Sequence, residues 1–190
     1  MSNLGSTYTV NAVGGKGFNK FFRNSIRFFT KDHDDEPCTH IMSGLGDLFG
    51  DGTEYVLSAE NFIAILPLSR FQTDEYEIQE YKMREVPDEE VKSHMSYLSE
   101  TYANKSYAFF QNLWFIYRWF MELFNKDVRK EGNWFPNSEN CSEMGYYHLE
   151  LMKRFNKRFR FHLEEWNPNC FSPADCANLL KKYPTLFQKV

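Results

Sequence analysis

The sequence has no long apolar run, no closely paired cysteines and no glycine-rich nucleotide motif, and each absence excludes a class of protein. The longest apolar stretch, from Leu113 to Phe124, is interrupted by Arg118 and is too short to span a bilayer. None of the four cysteines belongs to a Cys-x-x-Cys pair, which argues against a zinc ribbon or a thioredoxin-type site. The phosphate-binding glycine motifs and the Gly-x-Ser-x-Gly elbow of serine hydrolases are also absent.

The amino terminus lacks the features of a secretion signal. Residues Met1 to Ser6 contain no basic residue and no apolar run, so we expect no signal peptide. Four cysteines in 190 residues are too few for a disulfide scaffold. We therefore expect a cytoplasmic protein. If the substrate is a cell wall, a lysis system or a virion would have to deliver it.

The composition is that of a folded domain. The chain has 190 residues, of which 42% are hydrophobic and 25% charged, and it is long enough for one domain with a sizeable core. Aromatic residues make up 18%, with 19 Phe and 11 Tyr. The net charge of -4 argues against a general nucleic-acid binder.

The order of elements predicts an α+β domain with a small antiparallel sheet packed against helices. Residues 1–16 read as a flexible lead-in and residues 17–190 as a single domain, which begins with a helix over 17–29. A meander of about four strands follows, and the rest of the chain is mainly helical. The predicted strands are 39–44, 55–60, 63–68 and 76–83, and the later predicted helices are 87–103, 106–124, 141–159 and 173–182.

Cys141 is the candidate nucleophile. Asn140 and Glu143 give the spacing of a capping box, which puts Cys141 in the first turn of a helix. There the free backbone amides and the helix dipole stabilise a thiolate, the form that attacks carbonyl carbons. The alternative, a small buried cysteine with no chemistry, is more frequent.

His40 is the candidate base. Among the five histidines, it alone stands at the start of a predicted strand, where a rigid scaffold can hold its ring. The loop from His33 to His40 is acidic, but its spacing matches no known metal-ligand set, and we expect neither a metal nor a cofactor.

Two further segments have open alternatives. The aromatic block 114–120 is either a core helix or a wall over an apolar or acyl-bearing substrate. The basic run 153–160 is either a solvated helix face or a patch for an anionic partner, such as an acidic protein, nucleic acid or a phospholipid headgroup.

Several short motifs occur in an order that resembles a known family. The motifs are Asn24-Ser25-Ile26 with Thr30 after it, Thr39-His40-Ile41, Val56-Leu57-Ser58-Ala59, Pro67-Leu68, Tyr107, Cys141-Ser142-Glu143 and Ser172-Pro173-Ala174-Asp175. Over about residues 17 to 180, this order is similar to circularly permuted relatives of the NlpC-type cell-wall peptidases, including the YiiX-like group, in the papain-like superfamily.

The resemblance implies a permuted papain-like fold in which Cys141 is the nucleophile and His40 the base. The residue that orients the histidine falls at Ser58, where the family more usually has a charged or amide side chain. Glu60, two residues later on the same face of the strand, is the alternative orienter. Because Ser58 carries no charge to stabilise an imidazolium, its presence at this position predicts a weaker triad.

The function implied is that of a cysteine hydrolase that cleaves an amide-type bond in a peptide, a cell-wall peptide or a side-chain amide. Two alternatives stay open. One is a lipid-directed acyl hydrolase or acyltransferase of the same fold, acting on a lipid amide or ester. The other is a non-catalytic binding module that retains the fold.

Overall fold

The computed structural model describes residues 3–13, 38–59, 62–105, 112–131 and 141–190. Within these ranges the protein is α+β, with one six-stranded antiparallel sheet and five α-helices. None of the helices in these ranges is long and apolar enough to cross a membrane. The predicted helix over 17–29 and the charged loop 31–37 lie outside the described residues.

The sheet has the strand order β4-β3-β2-β1-β5-β6. All five strand pairs are antiparallel. The strands are β1 Ser6–Ala12, β2 His40–Gly46, β3 Tyr55–Ala59, β4 Ile63–Pro67, β5 Tyr76–Met83 and β6 Phe187–Lys189.

The first strand corrects the prediction of a flexible lead-in over residues 1–16. Ser6–Ala12 is β1, which lies between β2 and β5 and is buried along almost its whole length. β5 pairs with β1, on the side of the sheet opposite to β4, so the four predicted strands are not a continuous meander. The α+β class and the bounds of the four predicted strands agree with the sequence analysis to within a residue or two.

The helices within the described ranges are α1 Asp88–Tyr102, α2 Asn112–Glu122, α3 Cys141–Leu149, α4 Lys157–Leu163 and α5 Pro173–Lys182. The single helix predicted over 141–159 is therefore wrong. After α3 the chain tightens into a 3-10 segment, Glu150–Arg154, and a new helix begins where the Asn156 side chain accepts a hydrogen bond from the amide of Phe159.

The two faces of the sheet contact different clusters of apolar side chains. We call the side covered by the helices the helix face. It carries Ile41, Leu57 and Ala59, which pack with residues of α1, α3 and α5. The opposite side, the far face, carries Tyr8, Val10, Met42 and Val56, which pack with Leu68 and Phe71. Side chains alternate between these faces along each strand.

An ion pair links α2 to the start of α5. The Ser172 hydroxyl accepts a hydrogen bond from the Asp175 amide, and the Asp175 carboxylate accepts one from the Ser172 amide, which completes a capping box. The same carboxylate accepts two hydrogen bonds from Arg118, whose guanidinium lies 4.6 Å from the centre of the Trp166 ring. The Ser172-Pro173-Ala174-Asp175 motif therefore joins two helices as well as beginning one.

Candidate functional site

Cys141 is the first residue of α3, as the capping pattern predicted. Its side chain is only 4% exposed and packs in the cluster that also contains Leu57, Ala59 and Ile63. The thiol therefore lies against the helix face of the sheet, above the end of β3. Asn140, the predicted cap of this helix, lies outside the described residues.

Two contacts fix how α3 lies on β2. A Cβ built on Gly145 would be 2.8 Å from Cγ2 of Ile41, and Nδ1 of His148 is 2.8 Å from Oγ of Ser43. The helix and the strand therefore run in the same direction. Cys141 lies one turn before Gly145, about 6 Å along the helix axis, which corresponds to about two residues of an extended strand. The first turn of α3 is thus level with the beginning of β2.

His40 is the first residue of β2 and is partly buried. Its Nε2 lies 2.9 Å from Oγ of Ser58 on β3, and Ser58 is 1% exposed. The ring also stacks at 6.4 Å from Phe71. The expected contact between His40 and Ser58 is present, and the catalytic role of both residues stays a prediction.

Thr39 attaches the start of β2 to β1. Its hydroxyl donates to the carbonyl of Val10 and accepts a hydrogen bond from the amide of Ala12. Its own amide donates to the same Val10 carbonyl. Because three hydrogen bonds hold the residue before His40, the main chain that carries the imidazole is fixed. The threonine of the Thr39-His40-Ile41 motif therefore has a structural role in this chain.

Two further cysteines surround the start of α3, and the sequence analysis did not anticipate them. Cys38 donates from its sulfur to the carbonyl of His40, 3.4 Å away. Burial raises the pKa of Cys38 to about 12, and the charge of a Cys141 thiolate adds to that rise. Burial also raises the pKa of Cys176 well above its usual value, with Cys38 and Cys141 again contributing. Cys38, Cys141 and Cys176 form no disulfide, and all three side chains are buried. The one available signal was that Cys38 stands two residues before His40.

Of the two other carboxylates considered from the sequence, Glu60 and Glu143, only Glu143 lies within the described residues. Glu60, the alternative orienter, lies outside the described residues, as does the acidic loop from Asp32 to Glu36. Glu143 is completely buried, and its negative charge contributes to the raised pKa of Cys170. Its predicted hydrogen bond to the amide of Asn140 stays a prediction.

His148 is fully buried within α3 and was not among the predicted site residues. Its Nε2 is 3.2 Å from the carbonyl of Gly5, so this nitrogen carries the proton and donates it. Its Nδ1 then accepts from the hydroxyl of Ser43. Burial lowers the pKa of His148 to about 3. The neutral imidazole of α3 is therefore hydrogen-bonded both to the residue that precedes β1 and to β2.

The aromatic block on α2 is only partly in the core. Trp114 is completely buried, but Phe120 is 51% exposed. Leu123 and Phe124, directly after the helix, are also exposed. The interpretation of this block as a core helix therefore fits Trp114 but not the exposed end of α2.

The basic run 153–160 lies along a mixed-charge groove of about 680 Å³. Lys153 pairs with Glu150 and Glu164, Arg154 pairs with Glu90, and Arg160 pairs with Glu164. Because these three cations are compensated by carboxylates, the groove favours the interpretation as a solvated helix face over a patch for an anionic partner.

Within the described ranges, no group of three or more His, Cys, Asp or Glu side chains is arranged to hold a metal ion. Comparison with known proteins gives no family: no protein-family model matches the chain, and no curated protein or solved structure matches it significantly.

Proposed function

We propose that the protein is a cysteine hydrolase of permuted papain-like fold that cleaves an amide-type bond. In this proposal, Cys141 is the nucleophile, His40 the base and Ser58 the residue that orients the imidazole. The substrate class is a peptide, a cell-wall peptide or a side-chain amide. We propose a cytoplasmic location, with delivery by a lysis system or a virion if the substrate is a cell wall.

The observation that supports the proposal is the 2.9 Å contact between Nε2 of His40 and Oγ of Ser58. If Nε2–H donates to this hydroxyl, Nδ1 is left unprotonated and is the nitrogen that takes the thiol proton. The match in level between the first turn of α3 and the start of β2 adds to this support.

The chemistry follows from these roles. His40 takes the proton of Cys141 as the sulfur attacks the carbonyl carbon of the substrate and forms a carbon–sulfur bond. Backbone amides at the start of α3 donate to the oxygen that becomes negative. His40 then gives the proton to the leaving nitrogen, the carbon–nitrogen bond breaks, and a thioester forms. Water attacks the thioester, releases the acid and restores the thiol.

A second candidate, the non-catalytic binding module, is favoured by the alternation of side chains along β2. Ile41 and Ser43 contact α3, so strand alternation directs His40 and Ser58 towards the far face. Because Cys141 lies on the helix face, the imidazole must then pass around the beginning of β2 to reach the sulfur. The low exposure of Cys141 also suits a residue without a chemical role.

An experiment separates the two candidates. The wild type, Cys141→Ala and His40→Ala are screened against peptide, side-chain amide and acyl ester substrates. A cysteine-directed inhibitor with an electrophilic warhead is mapped by peptide mass spectrometry in parallel. The hydrolase proposal expects turnover in the wild type alone, with the label on Cys141. Turnover of acyl esters only would favour the lipid-directed alternative.

Cys170→Ala is the matched control. Cys170 is a buried free thiol whose pKa is raised to about 12, mainly by burial. At pH 7 such a group is about 10⁻⁵ thiolate, against about 3% for an unperturbed cysteine. Cys170→Ala should therefore keep both the activity and the label. The hydrolase proposal fails if Cys141 is labelled no faster than Cys170, or if no variant alters turnover.

A further inference from the structure

A second cavity, of about 520 Å³, lies between the helix face of the sheet and α5. Residues of β1 and β5 form its floor, and Ala177 and Lys181 of α5 line its other side. Cys38, which precedes β2, also lines it. We call this the α5 cavity. The small side chain of Ala177 leaves room between the helix and the sheet at this point.

The floor of the α5 cavity is polar, in contrast to the apolar cluster beside it. Thr9 pairs with Gln79 and Asn11 pairs with Glu77 across β1 and β5, which puts four polar side chains next to each other on one face. The Asn11 amide donates to Oε2 of Glu77, and Oε1 of Gln79 accepts from the Tyr81 hydroxyl. Polar groups packed under a helix are costly unless they are hydrogen-bonded or solvated. The floor therefore suits a solvated or ligand-filled site better than a packed core.

Two opposite charges in the α5 cavity are open to solvent and come from different walls. Glu77 is an exposed residue on β5, and Lys181 is a partly exposed residue on α5. Gln79, between them on the floor, is also partly exposed. Burial raises the pKa of Cys38, and the charge of Lys181 acts in the opposite direction, so the ammonium group lies near that sulfur. A ligand can therefore reach a carboxylate, an ammonium and an amide without displacing core side chains.

The α5 cavity is at the same end of the sheet as the candidate catalytic residues. Val10 lies opposite His40 on one side and opposite Ile78 on the other, so the cavity floor is level with the beginning of β2. Cys38 connects the two places, because it lines the cavity and the charge of a Cys141 thiolate adds to its raised pKa. A ligand in the cavity therefore lies beside the thiols.

The class of ligand follows from the two charges and from the volume. Glu77 repels an anionic ligand and Lys181 repels a cationic one, whereas a zwitterion pairs with both. The volume of about 520 Å³ is far larger than a single ion and falls within the range of small-molecule sites, about 300–1,000 Å³. An amino acid or a short peptide with free ends carries an ammonium and a carboxylate on a molecule of this size.

We propose that the α5 cavity binds a zwitterionic ligand, an amino acid or a short peptide, with its ammonium group on Glu77 and its carboxylate on Lys181. Gln79 offers a side-chain amide to the part of the ligand between its two ends. Two sources share this chemistry: a free amino acid and a short peptide with both ends unblocked. The inference does not depend on the hydrolase proposal, because Glu77, Gln79 and Lys181 have no role in that proposal.

The test is calorimetric titration of the full chain with alanine, alanylalanine, N-acetyl-alanylalanine and alanylalanine amide. Blocking either end of the dipeptide should weaken binding by about tenfold, since one charge-assisted hydrogen bond is lost. Glu77→Gln should weaken binding of the dipeptide but not of its acetylated form, and Lys181→Met should weaken binding of the dipeptide but not of its amide. The exposed neighbours supply matched controls, Glu75→Gln and Lys182→Met, which should bind as the wild type does. Tighter binding of alanine indicates a free amino acid, and tighter binding of alanylalanine indicates a peptide.

Protection of Cys38 from a thiol reagent locates the ligand. Cys38 lines the α5 cavity, whereas Cys170, whose pKa is also raised to about 12, packs in a separate cluster with Trp114 and Val128. A small methanethiosulfonate reagent labels both thiols slowly, and peptide mass spectrometry follows each rate with and without saturating ligand. The ligand should slow the labelling of Cys38 more than that of Cys170. The proposal is overturned if neither alanine nor alanylalanine binds, if the blocked dipeptides bind as tightly, if the control variants weaken binding equally, or if both thiols are protected to the same extent.

Discussion

The buried imidazole of His148 should make the protein sensitive to mild acid. In the folded state its pKa is about 3, because burial disfavours the charged form. In the unfolded chain, an exposed histidine titrates near 6.5. Between these two values the unfolded state binds a proton that the folded state does not. The contribution of His148 to stability is therefore complete above about pH 6.5 and is lost as the pH falls towards 3.

The size of the effect follows from the two pKa values. At pH 5 the unfolded histidine is almost fully protonated and the folded one almost fully neutral. The linkage relation then gives a loss of about 2 kcal/mol between pH 7 and pH 5 from this residue alone. That is a large part of the stability of a typical domain, which is about 5–15 kcal/mol.

The assay is urea unfolding at pH 7, 6 and 5, with the wild type and His148→Gln compared at each pH. Glutamine keeps a donor for the Gly5 carbonyl and cannot titrate. The variant should be less stable than the wild type at pH 7, and the difference should shrink by about 2 kcal/mol at pH 5. Burial also lowers the pKa of His94, but His94 is present in both proteins, so its effect cancels when their stabilities are compared. A difference between wild type and variant that is the same at all three pH values would refute the reasoning.

Three other predictions concern the site and its supports. Ser58→Ala should lower turnover by about tenfold, because the residue lost is a neutral hydrogen-bond partner of the imidazole; loss of a carboxylate partner can cost up to about 10⁴-fold. Steady-state kinetics on the substrate found in the screen will measure the loss of turnover. Asp175→Asn should cost about 2 kcal/mol, because the mostly buried Arg118 loses one carboxylate partner and keeps the other, Glu122; an unchanged midpoint of chemical unfolding would contradict this. Gly145→Ala should lower stability by about 1 kcal/mol, since the clash with Ile41 outweighs the gain in helix propensity; a more stable variant would show that α3 can shift.

Elements with strong local signals could be predicted from the sequence. The strand Tyr55–Ala59 begins with an aromatic and a β-branched residue, and it forms within a residue of its predicted bounds. The helix Pro173–Lys182 has a serine cap and a proline in its first turn, and its bounds match the prediction. In both cases the information lies within a few residues, so it can be read without knowledge of the fold.

The first strand could not be predicted because its partners are remote in the sequence. Thr7, Thr9 and Asn11 face the helices, where polar side chains would normally indicate a loop. They are tolerated because buried polar groups are stable when they find hydrogen-bond partners. The Thr7 hydroxyl lies 3.4 Å from Nδ1 of His148, and the Asn11 amide donates to Glu77. Both partners are more than sixty residues away, so no local pattern reveals them.

The candidate site shows the same division between local and remote information. Local signals place Cys141 at the start of a helix and His40 at the start of a strand. They do not decide which face of β2 meets α3, because a shift of the strand by one residue would move every side chain to the opposite face. The face that meets α3 depends on Gly145, which lets Ile41 approach the helix. A family motif that matches residue types at β2 therefore predicts the contact with Ser58 on the next strand, but it leaves open the path from the imidazole to the sulfur.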